Sequence, residues 1–359
     1  MVGRATVTVD LDAIRANAER VVAALGGRQV VGVTKVTCGD PDVARAMLDG
    51  GCTAIGDSRL ENLERLREAG VRAPLWLLRS AVPAAADEVV RLADVSLESE
   101  VATLAALDAA ARRASRRHAV VAMVDLGDLR EGMMPGALPA FVEAARSLEA
   151  VDVVGIGTSL TCFGGVVPDS DNLGRLVELV RETEQMLGRR LMVSGGMSSS
   201  LDALIAGELP DRVDNLRIGE SIILGVSTVT RTPVLGLRTD AITLEVPVIE
   251  VARKPSLPQG RIAQDAFGHT PAFSDRGERL RAICAIGRQD VVPEGLTPLD
   301  EGVEVLGASS DHLVCDVEEM RVPPRVGDAL RFRPGYAATL ALFTSPYVEK
   351  VRKKPRETV

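Results

Sequence analysis

The sequence predicts an α/β protein in which an N-terminal (β/α)8 barrel precedes a C-terminal all-β domain. Short apolar runs alternate with longer amphipathic stretches at intervals of roughly 20 to 35 residues. Eight such runs occur in the first two thirds of the chain, and helix signals nearly vanish after Thr230. Eight β/α units are typical of a parallel barrel whose functional residues follow the strands. Because periodicity does not show closure, a doubly wound open sheet remains the alternative.

The elements of the barrel follow from these runs in chain order. The predicted strands are Val30 to Val33, Ala54 to Gly56, Leu75 to Leu78, Asp94 to Leu97, Ala119 to Val124, Val153 to Ile156, Leu191 to Val193 and Asn215 to Ile218. The predicted helices between them include Pro41 to Asp49, Leu60 to Ala69, Glu100 to Arg117, Leu173 to Leu187 and Leu201 to Ile205.

The domain boundary is predicted at the change of pattern, with the barrel in residues 1–230 and the β domain in residues 231–359. Val234 to Val251 alternates apolar and polar residues, as a half-buried strand does. A loop rich in Pro and Gly then precedes further strand-like runs at Ala282 to Ile286, Val303 to Leu306 and His312 to Val317. The alternating start of the chain lies within residues 1–11, which can pair with this domain.

Composition favours small-molecule chemistry. The net charge of −8 argues against a nucleic-acid surface. No apolar run reaches the roughly 18 residues that span a bilayer, and no export signal is evident at the start. The five cysteines form no CxxC pair, which predicts reduced thiols, a cytoplasmic location and no metal site.

Lys35 is the first ionisable group after the apolar run that ends at Val33. A lysine at a strand end can react with an aldehyde if burial or a nearby cation lowers its pKa. The alternative is a solvated surface lysine.

The segment Ser194 to Ser200, SGGMSSS, lies between a predicted strand and a predicted helix. Small residues let the backbone approach an anion, and the hydroxyls add donors, so the segment predicts a phosphate cradle. A plain turn with a helix cap is the alternative.

Two arginines occur at strand positions. Arg217 interrupts an apolar strand, and Arg130 follows another strand in the run VDLGDLREG. A buried charge needs a partner, so structural ion pairs compete with a ligand-binding role. For Arg130 the structural candidates are Asp125, Asp128 and Glu131.

Taken together, these segments resemble the fold-type III pyridoxal-phosphate enzymes, and within them the alanine/ornithine racemase family. The matching motifs are VTKVTCGD around Lys35 (33–40), GDSRLEN (56–62), VDLGDLREGMMP (124–135), GIGTSLTCFGG (155–165), SGGMSSSL (194–201), LRIGE (216–220), AIGRQDV (285–291) and GASSDHL (307–313). The resemblance implies a pyridoxal 5'-phosphate cofactor and a head-to-tail homodimer. Each site would then lie between one subunit's barrel and the other's β domain.

The resemblance also implies roles for individual residues. Lys35 corresponds to the lysine that holds the cofactor covalently and acts as one of two racemisation bases. Arg217 would face the pyridine nitrogen, and Arg130 the phenolic oxygen and the substrate carboxylate. The remaining cofactor positions match Ser159, where a histidine usually stacks on the ring, and Ser198, Gly219 and Glu220, which fall at the phosphate.

The sequence departs from the family pattern at two positions, the group that reaches the cofactor phosphate and the second racemisation base. Gly39 replaces an aromatic hydroxyl that usually reaches the phosphate, so another group must compensate. The tyrosine that serves as second base corresponds roughly to His269, whose unperturbed pKa suits proton transfer near neutral pH. His312 and Asp311 are the competing candidates.

The expected reaction interconverts L- and D-amino acids by two bases on opposite faces of Cα. Ornithine, lysine or arginine are the expected substrates, and their second cationic group would need an acid such as Asp290 or Asp311. Two alternatives remain open: a decarboxylase or aldolase on the same scaffold, and a non-catalytic carrier of the cofactor.

Overall fold

The computed structural model describes residues 3–268, 270 and 272–353. By their contacts, these form two compact units. One is Asp12–Thr239, and the other combines Met1–Leu11 with Asp240–Val359. Within the described residues, no helix combines the length and apolar character that crossing a membrane requires.

The first unit contains a closed barrel of eight parallel strands, so the predicted fold class is confirmed and the open sheet is excluded. The last strand pairs with the first, placing Arg217 beside Val31. In chain order the barrel strands are β2 (Gln29–Val33), β3 (Ala54–Asp57), β4 (Leu75–Leu77), β5 (Val95–Glu98), β6 (His118–Met123), β7 (Val151–Gly157), β8 (Met192–Met197) and β9 (Asn215–Ile218).

Helices connect the strands of this unit, and the predicted helices recur with shifts of a few residues at their ends. Pro41–Asp49 begins after Asp40, whose carboxylate accepts hydrogen bonds from two amides of the first turn. The helices are α1 (Leu11–Ala24), α2 (Pro41–Asp49), α3 (Leu60–Glu68), α4 (Ala86–Leu92), α5 (Val101–Arg113), α6 (Leu138–Arg146), α7 (Ser170–Leu187), α8 (Ser200–Ala206) and α9 (Glu220–Leu224).

The barrel interior is a packed apolar core. Its central cluster takes residues from successive strands: Val31, Ala54, Trp76, Leu97, Val121 and Met123. Burial of a large apolar side chain contributes about 1.5–3 kcal/mol. Because side chains fill the interior, the ends of the strands are left for binding and chemistry.

The second unit is an eight-stranded sheet, and β10 forms its centre. Residues with even numbers from Ile242 to Val248 are buried along β10, which matches the alternation in the sequence. The strands are β1 (Thr6–Asp10), β10 (Ile242–Pro255), β11 (Glu278–Cys284), β12 (Leu296–Pro298), β13 (Glu304–Ala308), β14 (Leu313–Asp316), β15 (Ala329–Pro334) and β16 (Glu349–Lys353). Strand β1 pairs antiparallel with β10 and parallel with β16.

One helix in this unit, α10 (Tyr336–Thr344), was not predicted. Its sequence YAATLALFT is apolar on nearly every side, so it lacks the contrast between faces by which an amphipathic helix is recognised.

The contacts place the division at Thr239, whereas the predicted boundary follows residue 230. The physical reason is a tether from α1. The buried Asn17 side chain donates to the carbonyls of Ile222 and Arg238, each at 2.9 Å, and accepts from the Arg238 amide at 2.7 Å. The segment before Asp240 is therefore bound to the barrel.

We expect Asn17→Ala to lower the free energy of unfolding of the barrel by about 3 kcal/mol, because three backbone groups lose their partner. Urea unfolding followed by fluorescence measures this directly, since the single tryptophan, Trp76, is buried in the barrel. Glu19→Ala, on the exposed face of the same helix, is the control and should change stability by less than about 0.5 kcal/mol. Equal effects of the two substitutions would contradict the tether.

Candidate functional site

Lys35 begins a 3₁₀ turn, Lys35–Thr37, just after β2 at the mouth of the barrel. The turn closes through Cys38, whose backbone is left-handed at φ 53° and whose amide donates to the Lys35 carbonyl. The side chain of Lys35 is exposed, although it has polar interactions of its own. An amine at this place can reach a ligand bound over the strand ends.

Gly39 explains why no aromatic hydroxyl follows the lysine. Its φ of +65° disfavours any other residue, and a Cβ would lie 2.6 Å from the Cβ of Asn62 and 2.9 Å from its carbonyl oxygen. The loop after Lys35 runs directly against α3, which leaves no space for a tyrosine at this position.

Arg217 lies in β9 with 3% of its surface exposed. Its guanidinium donates to the Ser194 hydroxyl, to the Thr158 carbonyl at 2.6 Å and to the Ser159 hydroxyl at 3.2 Å. No carboxylate within the described ranges forms an ion pair with it. Burial lowers the pKa of Arg217 to about 10, against the opposing charge of Glu131, so the group stays cationic at neutral pH.

Three groups after β8 and β9 converge on one point. The buried Ser198 hydroxyl oxygen accepts from the amides of Gly219 and Ser221, each at 3.3 Å. Ser198 and Gly219 were expected at the phosphate, whereas Ser221 was missed because nothing in its local sequence marks a backbone donor. These amides and the hydroxyl can bind an anion.

Glu220 was expected at the phosphate through its backbone. Its side chain forms an ion pair with Arg231, and burial raises the pKa of its carboxyl while Arg231 and Lys35 oppose that rise. The carboxylate therefore lies near Lys35, and Arg231 balances its charge.

Arg130 is paired with Glu131, one of its three candidate partners. The other two carboxylates hold backbone instead. Asp125 accepts from the amides of Gly127 and Leu129. Asp128 accepts from the amides of Cys162 and Phe163, at 3.1 and 2.9 Å, and so links the loops that follow β6 and β7.

Cys162, which the sequence did not mark as a site residue, lies close enough to both Arg130 and Lys35 to be affected by their charges. Partial burial raises the pKa of its thiol, and the charges of Arg130 and Lys35 oppose the rise. Its sulfur lies 3.1 Å from that of Met197 at the end of β8. The cations therefore surround one region of the barrel mouth.

The remaining candidates belong to the sheet unit. Asp290 is buried and accepts from the Ser345 hydroxyl at 2.6 Å. Asp311 and His312 are exposed; the Ser310 hydroxyl donates to Asp311 at 2.8 Å. His269, the candidate second base, lies outside the described residues.

Two motifs of this unit pack against each other. A Cβ at Gly287 would lie 2.2 Å from the Ser310 carbonyl oxygen, and the amides of Arg288 and Gln289 donate to the carbonyls of Ser309 and Ser310. The loop that carries Asp311 is therefore held against the segment that carries Asp290. In the part of the chain that the structure describes, no group of three or more His, Cys, Asp or Glu side chains is suited to a metal ion.

Two curated relatives match the chain over nearly its whole length. The ornithine racemase of Acetoanaerobium sticklandii is 40% identical over 96% of this chain and 98% of its own. The lysine racemase of Thermotoga maritima is 40% identical over 96% of this chain and 97% of its own.

Solved structures agree on the fold. The alanine racemase of Streptomyces lavendulae superposes with a TM-score of 0.77 at 21% identity, covering 99% of each chain. The alanine racemase of Bartonella henselae, solved with covalently bound pyridoxal phosphate, gives 0.72 at 15% identity over 98% of this chain and 99% of its own. The family model for the alanine racemase N-terminal domain matches residues 9–226. Because this match spans more than half of the chain and the racemase relatives align along almost all of it, the chain belongs to the alanine racemase family.

Proposed function

We propose that this chain is a pyridoxal-phosphate-dependent racemase of basic amino acids, with ornithine and lysine as its first substrates. The observation that carries the proposal is the buried Arg217, which keeps its charge among hydroxyls and a carbonyl on the strand next to Lys35. The 40% identity to an ornithine and a lysine racemase over nearly the full chain supports the substrate class.

The donor set fits the cofactor. Lys35 offers an amine for its aldehyde, and Arg217 offers a fixed donor for its ring nitrogen. Ser198, Gly219 and Ser221 form a group of neutral donors suited to its phosphate. When bound, pyridoxal phosphate supplies a conjugated ring that delocalises the charge left at Cα after proton loss.

Arg217 determines which reaction is favoured. A guanidinium with a pKa of about 10 donates a hydrogen bond and keeps its proton at neutral pH. If the cofactor is held as the family resemblance implies, Arg217 would donate to its ring nitrogen without giving up a proton, and the ring would then withdraw electrons less strongly. With the cofactor bound, this would favour return of the proton to Cα over protonation elsewhere, and hence racemisation over transamination.

Proton transfer needs a base on each face of Cα. The Nζ of Lys35 takes or gives the proton on one face. We assign the other face to His269, with Asp311 and His312 as the competing groups. Arg130 binds the substrate carboxylate, and its ion pair with Glu131 holds the guanidinium for that contact.

A purified-protein assay tests the proposal. With pyridoxal phosphate and L-ornithine or L-lysine in deuterated water, we expect Cα exchange together with formation of the D-enantiomer, measured by NMR and chiral chromatography. Lys35→Ala should abolish both, because it removes the amine that holds the cofactor and the first base. Lys254→Ala, at a partly exposed lysine of β10 paired with Glu250, is the control and should match the wild type. Release of carbon dioxide or an aldehyde without inversion would instead indicate a decarboxylase or aldolase.

Asp311 is our proposed partner for the distal ammonium group of the substrate. Its carboxylate is exposed, whereas that of Asp290 is buried against Ser345. We expect Asp311→Asn to lower kcat/KM for ornithine about tenfold through loss of a charge-assisted hydrogen bond, and to leave that for alanine within about twofold. Asp290→Asn is the matched control and should affect thermal stability more than specificity. Equal losses on both substrates would remove the specificity role.

We further propose a head-to-tail homodimer in which the barrel of one subunit and the sheet unit of the other form each site. This arrangement follows the family resemblance and the distribution of the candidate groups, since Lys35 and Arg217 belong to one unit of the chain and Asp311 to the other.

Complementation between inactive variants tests this arrangement and the role of His269 together. We expect Lys35→Ala and His269→Ala to be inactive alone. After co-expression with different tags, random pairing should restore roughly a quarter of wild-type racemisation, because half of the dimers then carry one intact site. An active His269→Ala protein would exclude it as the second base, and an inactive mixture of heterodimers would contradict the shared site.

A further inference from the structure

The motif GDSRLEN, residues 56–62, has no part in the chemistry described so far, yet one of its two carboxylates, that of Asp57, is fully buried. Asp57 ends β3 with no exposed surface. Its oxygens accept four hydrogen bonds: from the Thr34 hydroxyl at 2.9 Å, the Asn62 amide group at 2.9 Å, and the backbone amides of Ser58 and Arg59 at 2.7 and 3.2 Å.

These partners indicate that Asp57 acts as an acceptor. Burial raises the pKa of its carboxyl, while all four hydrogen bonds favour the ionised form. Among the residues that the structure describes, no cation forms an ion pair with Asp57. Burying a carboxylate without a cation is costly, so its hydrogen bonds to the ends of neighbouring elements must offset the loss of water.

Thr34 connects Asp57 to the lysine. It is fully buried, and each of its polar groups is used. The hydroxyl donates to Asp57, the amide donates to the Gly56 carbonyl at 3.0 Å, and the carbonyl accepts from the amides of Thr37 and Gly39 at 2.9 and 3.3 Å. Lys35 is the next residue, so its backbone starts from a fixed point.

The same carboxylate holds the other side of the turn. Asn62, bound to Asp57, lies in α3 against Gly39, where a Cβ would come within 2.6 Å. Arg65 of α3 also donates to the carbonyl of Cys38, which closes the turn. The end of β2, the lysine turn and α3 therefore meet around one carboxylate.

We propose that Asp57 is a positioning residue for Lys35: through Thr34 and Asn62 it fixes the turn from which the lysine amine reaches the barrel mouth. Asp57 does not touch the reacting atoms. The contribution of Asp57 to catalysis rests on the proposed racemase function, but its effect on the position of Lys35 does not.

Two readouts separate positioning from stability. The first is the rate at which Lys35 of the cofactor-free protein is acetylated by a pulse of acetic anhydride, measured by mass spectrometry against Lys254 in the same sample. The second is the division of the kinetic effect between kcat and KM for ornithine. A displacement near 1 Å can cost about 100-fold in rate, so kcat should fall far more than KM rises.

Asp57→Asn places amide hydrogens among four donors and should release the turn. We expect faster acetylation of Lys35 and a kcat lowered by about 100-fold. Thr34→Val removes the hydroxyl link and should also give faster acetylation of Lys35 and a lower kcat. Thr34→Ser retains the hydroxyl, so its acetylation rate and kcat should be close to those of the wild type. The effects of Asp57→Asn and Thr34→Val on acetylation should not add, because they break one connection.

Asp108→Asn is the matched control. Asp108 is also buried and accepts from two backbone amides, those of Glu149 and Ala150, but it is paired with Arg112. Its two amides precede β7, so they lie at the opposite end of the barrel strands from Lys35. It should lower the thermal midpoint without changing acetylation of Lys35 or kcat. If Asp57→Asn and Thr34→Val likewise lowered only the thermal midpoint, with acetylation of Lys35 and kcat unchanged, Asp57 would have a structural role and no positioning role.

The acetylation experiment needs neither cofactor nor turnover. If the wild-type protein failed to racemise any amino acid, the proposed function would be wrong, and the acetylation rates would still support or overturn the role of Asp57. Should Asp57→Asn fail to fold, the comparison of Thr34→Val with Thr34→Ser decides the question.

Discussion

The hydrogen bonds that pair β9 with β2 are the constraint on which the site depends. They close the barrel and place Arg217 opposite Val31. The arginine therefore lies on the strand next to the one that Lys35 follows, although the two residues are 182 positions apart in the sequence (217 − 35). Closure also fills the interior with apolar side chains, which keeps polar groups at the strand ends.

At the mouth of the barrel, two arginines are paired with carboxylates, whereas the groups that accept hydrogen bonds from Arg217 are neutral. Glu131 and Glu220 pair with Arg130 and Arg231. Arg217 lies among two hydroxyls and a carbonyl, which accept three hydrogen bonds from it and leave its charge in place. A buried cation balanced in this way is suited to a ligand that carries its own acceptor.

Periodicity was sufficient to predict the barrel strands, the position of Lys35 after β2 and the position of Arg217 within β9, because these depend on local sequence. The roles of Lys35, Arg217 and Ser198 in binding and catalysis stay predictions. Contacts between distant segments were not predictable in the same way. The choice of Glu131 over Asp125 and Asp128 depends on side-chain direction. The contact of Gly39 with α3 and the tether from Asn17 depend on how separate elements pack, which a single sequence does not encode locally.

The pairing of β1 has a consequence for synthesis on the ribosome. Strand β1 is made first, but both of its partners, β10 and β16, come after the whole barrel has been translated. The barrel unit, Asp12–Thr239, is continuous and can fold as soon as it emerges, whereas the sheet must wait for the last strand. Until then the backbone groups of β1 lack their sheet partners, and an unpaired strand of this kind is a template for pairing with another chain.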